Sequence, residues 1–555
     1  MGKQGVDPIT VSVIQHRLHA IVEEMGEAML RTSYSQILNS SRDFSTAICD
    51  AGGRLVAQAE HVPIHVGALP WGVQAVSQFF EGRVRPGDVY LLNDPYHGNN
   101  HLPDITAFLP VFAGQQLLFW SINRSHQSDI GGATHGGYNP GATEIWQEGI
   151  RIPPLRLYEA GAVRDDVLHM IATNVRHPRD FKGDLAAMIG SARVGERRVL
   201  TLLDEYGADI TIAAVETVLD AAERQTRAII MTWKDGVYRG EAMVDDDGHG
   251  CRDVYVQAKV TKRGSDLTVD LTGSHPQVVG FINSSYANMR SAVAMALAYL
   301  IDPETPKNDG TFRPLQVVAR EGTVVWSKAP APVTLCTNHC AQEIAEAIIK
   351  ALAPACPDRA MAGWGRRFRI AIQGKNPRSG EPFIWHLFHA RPGGGASSAG
   401  DGWPAAGEWQ AAGGIKFGSI EVMEARFPLF FRRHEFRPDS GGDGEHRGGV
   451  GSVLEMALEI EEPARANTAG DGTEHGACGL SGGKDGMPHR YRLRSGRRYR
   501  VLKTKEVGIP LRPGDVLFIE SGGGGGWGDP KRRKREAKST DVENGFVTQP
   551  QTRRG

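Results

Sequence analysis

The sequence predicts an α+β fold, with a mixed helix-and-strand N-terminal half and a β-rich, glycine-laden C-terminal region. Three observations carry this. Apolar residues recur at helical spacing in several long windows. Between those windows lie short apolar runs punctuated by Gly, Pro, Asn and Asp, as strands and their turns require. Glycine makes up 68 of 555 residues, about 12% against a usual 7% or so, and it concentrates beyond residue 385.

In chain order, Asp7-Pro8 opens a helix over 11–30, with Val13, Ile14, Leu18, Ile21, Val22, Met25, Met29 and Leu30 on helical spacing and Pro8 suited to a first turn. Strands and loops begin at Ser45. Helical patterns return at 68–80, 184–206 and 210–233. Strands over 253–262 and 266–271, separated by Arg263-Gly264-Ser265, form a hairpin. Helices follow at 286–301 and 341–352. Runs such as PDSGGDGEHRGGVGS and ESGGGGGWGDP then read as tight turns with positive φ between short strands. The expected organisation is an N-terminal α+β domain (1–240), a middle α+β region (241–385), a glycine-rich β region (386–530) and a disordered basic tail (531–555).

Composition excludes several classes of function. The balance of 63 Lys+Arg against 64 Asp+Glu provides no global field for nucleic acid or an anionic membrane. No apolar run reaches membrane-spanning length, and residues 1–10 have no secretion-signal core. Six scattered cysteines do not make a disulfide framework. A cytoplasmic protein is expected. Neither G-x-x-x-x-G-K-[ST] nor a G-x-G-x-x-G opening a helix occurs, so in any ATP-driven reaction another chain holds the nucleotide.

Residues 91–132 are the densest cluster of ligand-type side chains, with Asp94, His97, His101, Asp104, His126 and Asp129. Strand-like runs 105–112 and 117–122 flank the turn-compatible Ala113-Gly114-Gln115-Gln116. Folding about that turn sets Asp104 opposite roughly Ser125 and gathers His101, Asp104 and His126 at the hairpin's open end. Two imidazoles and a carboxylate on rigid strand ends suit a divalent metal that keeps open positions; polar loop residues satisfying backbone groups are the alternative. His61 and His65 flank Pro63, which argues against one helical turn carrying both and favours pocket lining. Cys336 and Cys340 have CxxxC spacing without a second pair and read as packed thiols.

SRDFSTAICDAGGRLVAQAEHVPIHVGALP (41–70), GDVYLLNDPYHGNNHLPDI (87–105), NRSHQSDIGG (123–132), NVRHPRDFKGDLAA (174–187), VDLTGSHPQVVGFIN (269–283), NDGTFRP (308–314), RPDSGGDGEHRGGVGS (437–452) and GGGGGWGDP (522–530) together resemble the hydantoinase B/oxoprolinase family. That family comprises the B-type subunits of ATP-dependent N-methylhydantoinases and 5-oxoprolinases, and is related to the acetone carboxylase α subunit. The resemblance implies a hetero-oligomer with an A-type subunit that uses ATP to phosphorylate a cyclic amide, such as a hydantoin or 5-oxoproline. A metal-bound water in the B-type chain then hydrolyses the activated ring. It carries the metal ligands to His101, Asp104 and His126, with zinc, manganese and iron all compatible. Asp129, His65 and His135 are candidates to orient the ligands or shuttle the proton. Two other readings stay open: a carboxylase subunit acting on the enol phosphate of a ketone, and a non-catalytic assembly subunit.

Overall fold

A computed structural model describes residues 6–59, 61–411 and 414–549. The fold is α+β, with four sheets and long helices packed between them.

Asp7 caps the first helix, Pro8–Thr32, its carboxylate accepting from the Ile9 and Thr10 amides at 3.0 and 3.1 Å. The buried stripe Ile14, Leu18, Ile21, Val22, Met25 and Met29 lies against the helix Pro178–Tyr206 and the first sheet. That sheet holds β1 (Phe44–Asp50), β2 (Leu55–Ala59), β3 (Val89–Leu92), β4 (Asp104–Ala113), β5 (Gln116–His126), β6 (Leu155–Glu159) and β7 (Ala162–Val163), in the antiparallel order β2-β1-β5-β4-β3-β6-β7. β4 and β5 are covered on both faces, so they read as apolar runs rather than as alternation. On one face Ser121 and Asn123 bond to Ala192 O and Ser191 Oγ of the Pro178–Tyr206 helix at 2.7 and 3.0 Å. The opposite face carries Trp120, Ile122, Phe108 and Leu92, which pack with the Leu69–Phe79 helix. Period-two alternation places Asp104, Thr106, Arg124 and His126 on this second face.

A bulge between Val111 and Phe112 shifts the β4–β5 register, so Asp104 pairs with His126 rather than with Ser125 as the turn alone suggests. The Gly136–Asn139 stretch and the loop before residue 340 close over this end of the hairpin.

The second sheet contains β8 (Gly236–Asp246), β9 (Arg252–Arg263), β10 (Asp266–Asp270) and β11 (Leu315–Val318) in the order β11-β10-β9-β8. The 252–270 hairpin is the expected one. The helix Ala341–Leu352, buried at every position but Lys350, lies on β8 and β9. Gly240 permits the approach, since a Cβ there would stand 2.0 Å from Ala347 O.

The C-terminal part forms two antiparallel sheets. β12 (Phe368–Lys375), β13 (Pro382–His386), β16 (Ala464–Gly470) and β19 (Lys505–Leu511) run β13-β12-β16-β19. β14 (Leu429–Phe436), β15 (Ser452–Leu458), β17 (Arg490–Ser495), β18 (Arg498–Val501) and β20 (Val516–Glu520) run β14-β15-β20-β17-β18.

The glycine runs depart from the expectation of positive-φ turns. Within 522–528 only Gly528 has a positive φ, 75°. The others belong to extended segments packed backbone against backbone. Gly393 N donates to Gly522 O, Gly449 N to Gly394 O, Gly524 N to Gly449 O and Gly525 N to Gly363 O, all within 2.8–3.0 Å. A Cβ on Gly524 would lie 2.0 Å from Gly394 O, and one on Gly448 1.9 Å from Gly524 O. Glycine is required because no side chain fits between the strands of this lattice.

Residues 531–549, expected as part of a disordered tail, are folded; 550–555 lie outside the described residues. Arg533 pairs with Asp401 and Asp541 at 2.7 Å each, and a short helix, Arg535–Glu543, follows. Arg447 beside the lattice also reaches Asp541, at 3.1 Å, so the basic run is anchored by buried ion pairs.

Gly524→Ala is expected to destabilise the protein by about 3 kcal/mol, the upper end of overpacking costs. Gly190→Ala, on an exposed helix position with nothing within 4 Å, is expected to stabilise it by about 0.5–1 kcal/mol. Thermal denaturation of the two variants beside the wild type checks the opposite signs.

Candidate metal centre

The HLPD turn and the end of β5 bring His101, Asp104 and His126 together, all buried. His101 Nε2 and His126 Nδ1 stand 3.0 and 3.1 Å from the same oxygen, Asp104 Oδ1. His65, on the one-turn helix Pro63–Val66, places Nε2 3.5 Å from Asp104 Oδ2 and 3.6 Å from Asp43 Oδ1. Pro63 does separate His61 from this group. The His61 ring packs on Phe44 instead, centroids 4.7 Å apart.

Buried asparagines hold the turn in shape. Asn99 Nδ2 donates to the carbonyls of Asn93, His101 and Asp104 at 3.0, 2.9 and 2.7 Å. Asn100 Nδ2 donates to Ile64 O at 2.8 Å, tying the turn to the His65 helix. Arg124 completes the tie through His65 O, Asn100 Oδ1 and Thr106 Oγ1. His101 Nδ1 donates to Thr334 O at 2.5 Å, which orients Nε2 inward. The Thr334 loop is in turn fixed by Glu148, which accepts from the amides of Val333 and Thr334 at 3.0 and 2.8 Å.

Electrostatics favour the ligand state. Burial, helped by the neighbouring Arg369 charge, pushes the His126 imidazole down to about 3, and burial pushes His65 down to about 4. Both rings are therefore neutral near pH 7 and keep a lone pair. Burial opposes ionisation of Asp104, but His101 and His65 outweigh it and hold the carboxyl well below the usual range. Burial and the Asp104 charge raise Asp43 to about 7.

The donor set fits a divalent cation. His101 Nε2 and Asp104 Oδ2 are buried without a hydrogen-bond partner, an expensive arrangement that coordination relieves. Two neutral imidazoles and one carboxylate suit zinc, manganese or iron. A second group, His339, Glu343 and Asp471, also comes within ligand range, yet its partners are already present. His339 Nδ1 faces Glu343 at 3.2 Å and Nε2 donates to Arg367 O at 3.0 Å, while Asp471 pairs with Lys505 at 3.1 Å. That network is a satisfied polar core.

The remaining expected residues are placed differently. Asp129 pairs with Arg176 at 3.0 Å and accepts from the Gly131 and Arg176 amides, so it shapes its loop and does not orient a ligand directly. His135 has Nε2 3.1 Å from Ala371 O and Nδ1 3.4 Å from Asn467 Nδ2, with no contact to the ligand residues. Asp94 and His97 pair with each other at 2.9 Å, away from the centre. Cys336 and Cys340 are packed, their thiols against Asn100 O and Val324 O.

Sequence reasoning missed Asp43, Tyr138, Arg369 and His386. Arg369 comes from β12, over 240 positions beyond the hairpin, and its Nη1 lies 3.5 Å from His126 Nε2. The only sequence signal was position within shared motifs, Asp43 in SRDF and Tyr138 after the Gly136-Gly137 pair. A cavity of about 210 Å³ opens beside the centre, lined by Gln36, Ser128, Asp129 and residues of β13. Ser128 Oγ at its wall is 3.1 Å from His386 Nε2.

The model of the hydantoinase B/oxoprolinase family matches residues 7–530. The beta subunit of caprolactamase from Pseudomonas jessenii is 36% identical over 557 residues, 98% of this chain and 94% of its own. The crystal structure of the ATP-dependent caprolactamase from that organism superposes with a TM-score of 0.91 at 34% identity, covering 98% of this chain and 95% of its own. The nucleotide-free acetone carboxylase structure superposes with a TM-score of 0.90 at 19% identity over 98% of this chain and 78% of its own, a likeness of fold.

His101→Ala and Asp104→Asn are expected to abolish divalent-metal retention, whereas Asp129→Asn and His135→Gln keep it. Elemental analysis of the dialysed proteins checks this.

Proposed function

The chain belongs to the hydantoinase B/oxoprolinase family, and from that premise we propose that it is the metal-bearing subunit of an ATP-dependent hydrolase of cyclic amides. Its partner is an A-type subunit that binds ATP and phosphorylates the ring carbonyl. Similarity to a caprolactamase beta subunit over 98% of the chain supports a lactam or related ring as substrate. The observation that carries the reading is the buried His101–Asp104–His126 group with its two unsatisfied ligand atoms.

An amide carbonyl is a poor electrophile because the nitrogen lone pair is delocalised into it. Phosphorylation of the oxygen makes the ring carbon electrophilic, so the chain needs no Ser or Cys nucleophile, only activated water: its addition to that carbon and rupture of the ring C–N bond leave an acyl phosphate, which a second water cleaves to carboxylate and phosphate. A divalent ion held by His101, Asp104 and His126 would supply Lewis acidity and lower the pKa of water toward neutrality. His65 fixes Asp104 from the opposite side and links it to Asp43. With its carboxyl raised by burial, Asp43 is suited to accept a proton released during attack and to return it to the leaving nitrogen. Thr334 and Glu148 keep His101 in place throughout. The six cysteines are all free, and no helix among the described residues is long and apolar enough to cross a membrane; both support a cytoplasmic location.

The test is co-expression with the A-type partner, followed by assay of ATP-dependent opening of caprolactam, hydantoin and 5-oxoproline. Turnover of at least one ring is expected. Failure with every cyclic amide, combined with bicarbonate- and ATP-dependent consumption of a ketone, would replace this reading with the carboxylase one.

Asp43 acts as a base only when ionised, so the rate is expected to fall toward acidic pH as its carboxyl, raised by burial, takes up a proton. Asp43→Asn is expected to lower kcat by roughly 10²–10⁴, the usual worth of a general base, and to flatten that acidic limb. A pH–rate profile of both proteins checks it.

A further inference from the structure

Arg369 is a buried cation in an unusual position. It is 2% exposed, and among the described residues no carboxylate lies within 4 Å of it. Its Nη2 donates to His386 Nδ1 at 3.0 Å, its Nη1 lies 3.5 Å from His126 Nε2, and its Nε has no partner. The guanidinium stacks on the Tyr138 ring at 4.4 Å and on Phe388 at 5.5 Å, which fixes the plane of its donor fork. Arg367, just before the start of β12, is also buried. It pairs with Glu408 at 2.9 Å through one nitrogen, while its own Nε is unpartnered.

Buried Arg124 likewise has no carboxylate within 4 Å, but three carbonyl, amide and hydroxyl oxygens occupy it. Arg369 has two imidazole nitrogens and the Tyr138 hydroxyl, and no carbonyl or carboxylate of the described residues among its hydrogen-bond partners. A cation held by His101, Asp104 and His126 would sharpen the mismatch: were His126 Nδ1 turned to the cation, its proton would sit on Nε2 and two donors would face each other across 3.5 Å. An anionic oxygen seated there satisfies both, and the planar fork matches a phosphoryl group bidentately.

We infer that Arg369, backed by Arg367 and His386, is the receptor for the phosphoryl group of the activated substrate; this rests on the metal-centre reading above. The guanidinium holds the phosphoryl oxygens while water adds to the ring carbon and the C–N bond breaks to an acyl phosphate, and it compensates the charge of the phosphate that departs when a second water forms the carboxylate. Between the cavity and Arg369 stand Ser128, which lines it, and His386, linked by contacts of 3.1 and 3.0 Å, so entry of a phosphoryl group requires the His386 ring to move.

The test is calorimetric titration of the full chain, loaded with manganese and freed of excess metal, with inorganic phosphate and separately with acetate. The wild type is expected to bind phosphate more tightly than acetate. Arg369→Met should lose roughly tenfold or more in phosphate affinity, as deletion of a charged hydrogen-bonding partner does, with manganese content unchanged. Arg369→Lys, which keeps the charge without the fork, should fall between them. A wild type that holds none of manganese, zinc or iron overturns the metal-centre reading and this proposal together; if it holds zinc or iron instead, the titrations are run with that metal. Three results overturn the phosphoryl assignment alone: a metal-loaded wild type indifferent to phosphate, equal binding of acetate, or both Arg369 variants titrating as the wild type does.

Discussion

The Asp104 carboxylate is the constraint around which the centre is organised. One of its oxygens is shared by His101 and His126 and the other faces His65, all within 3.0–3.5 Å and all buried. A charge so placed is tolerated only with compensation from every side. The surroundings follow from that requirement: the asparagine-knotted turn, the Arg124 tie to the His65 helix, and the Thr334 loop that orients His101. Each polar partner comes from a different chain segment, so the charge holds the N-terminal sheet, the loop before residue 340 and β12 in one arrangement.

The second constraint is the glycine lattice, and it is steric rather than electrostatic. Segments around 363, 393, 402, 441–451, 478–486 and 522–526 pass so close that a methyl group would meet a carbonyl at about 2 Å at several crossings. Backbone amides and carbonyls pair directly across most of these contacts, and side chains take a few of the rest, as His489 Nδ1 accepts from Gly522 N and Ser440 Oγ from Gly451 N. The lattice connects the two C-terminal sheets, and β12 and β13 of one of them deliver Arg369 and His386 to the metal centre. Rigidity there is transmitted to the guanidinium, whose position is further fixed by the Tyr138 and Phe388 rings.

Much of this was legible in the residues. The helices over 8–32, 178–206, 208–231, 286–300 and 341–352 follow from apolar periodicity, a local property that survives folding. The two hairpins follow from short turns between apolar runs. His101, Asp104 and His126 were within reach because a single hairpin brings them together. The one-residue error in their pairing came from a bulge that no turn rule specifies. The glycine runs were misread as turns because composition reveals that side chains are absent, but not whether a strained φ or a neighbouring backbone requires it. The basic run at 531–535 resembled a solvated tail because its partners, Asp401 and Asp541, lie far along the chain or beyond the charged block.

Local order in the chain is enough to determine the fold class, the hairpin and the meeting of His101, Asp104 and His126 at its open end, since these depend on periodicity, turn length and spacing over a few tens of positions. Only the tertiary structure decides that Asp129 and His135 are drawn to Arg176 and to β12 rather than to the ligands, that Asp43 joins His65, and that Arg369 faces His126. Those contacts span up to about 240 residues. They are set by which buried charges find partners once the sheets have packed, a competition that no short stretch of sequence contains.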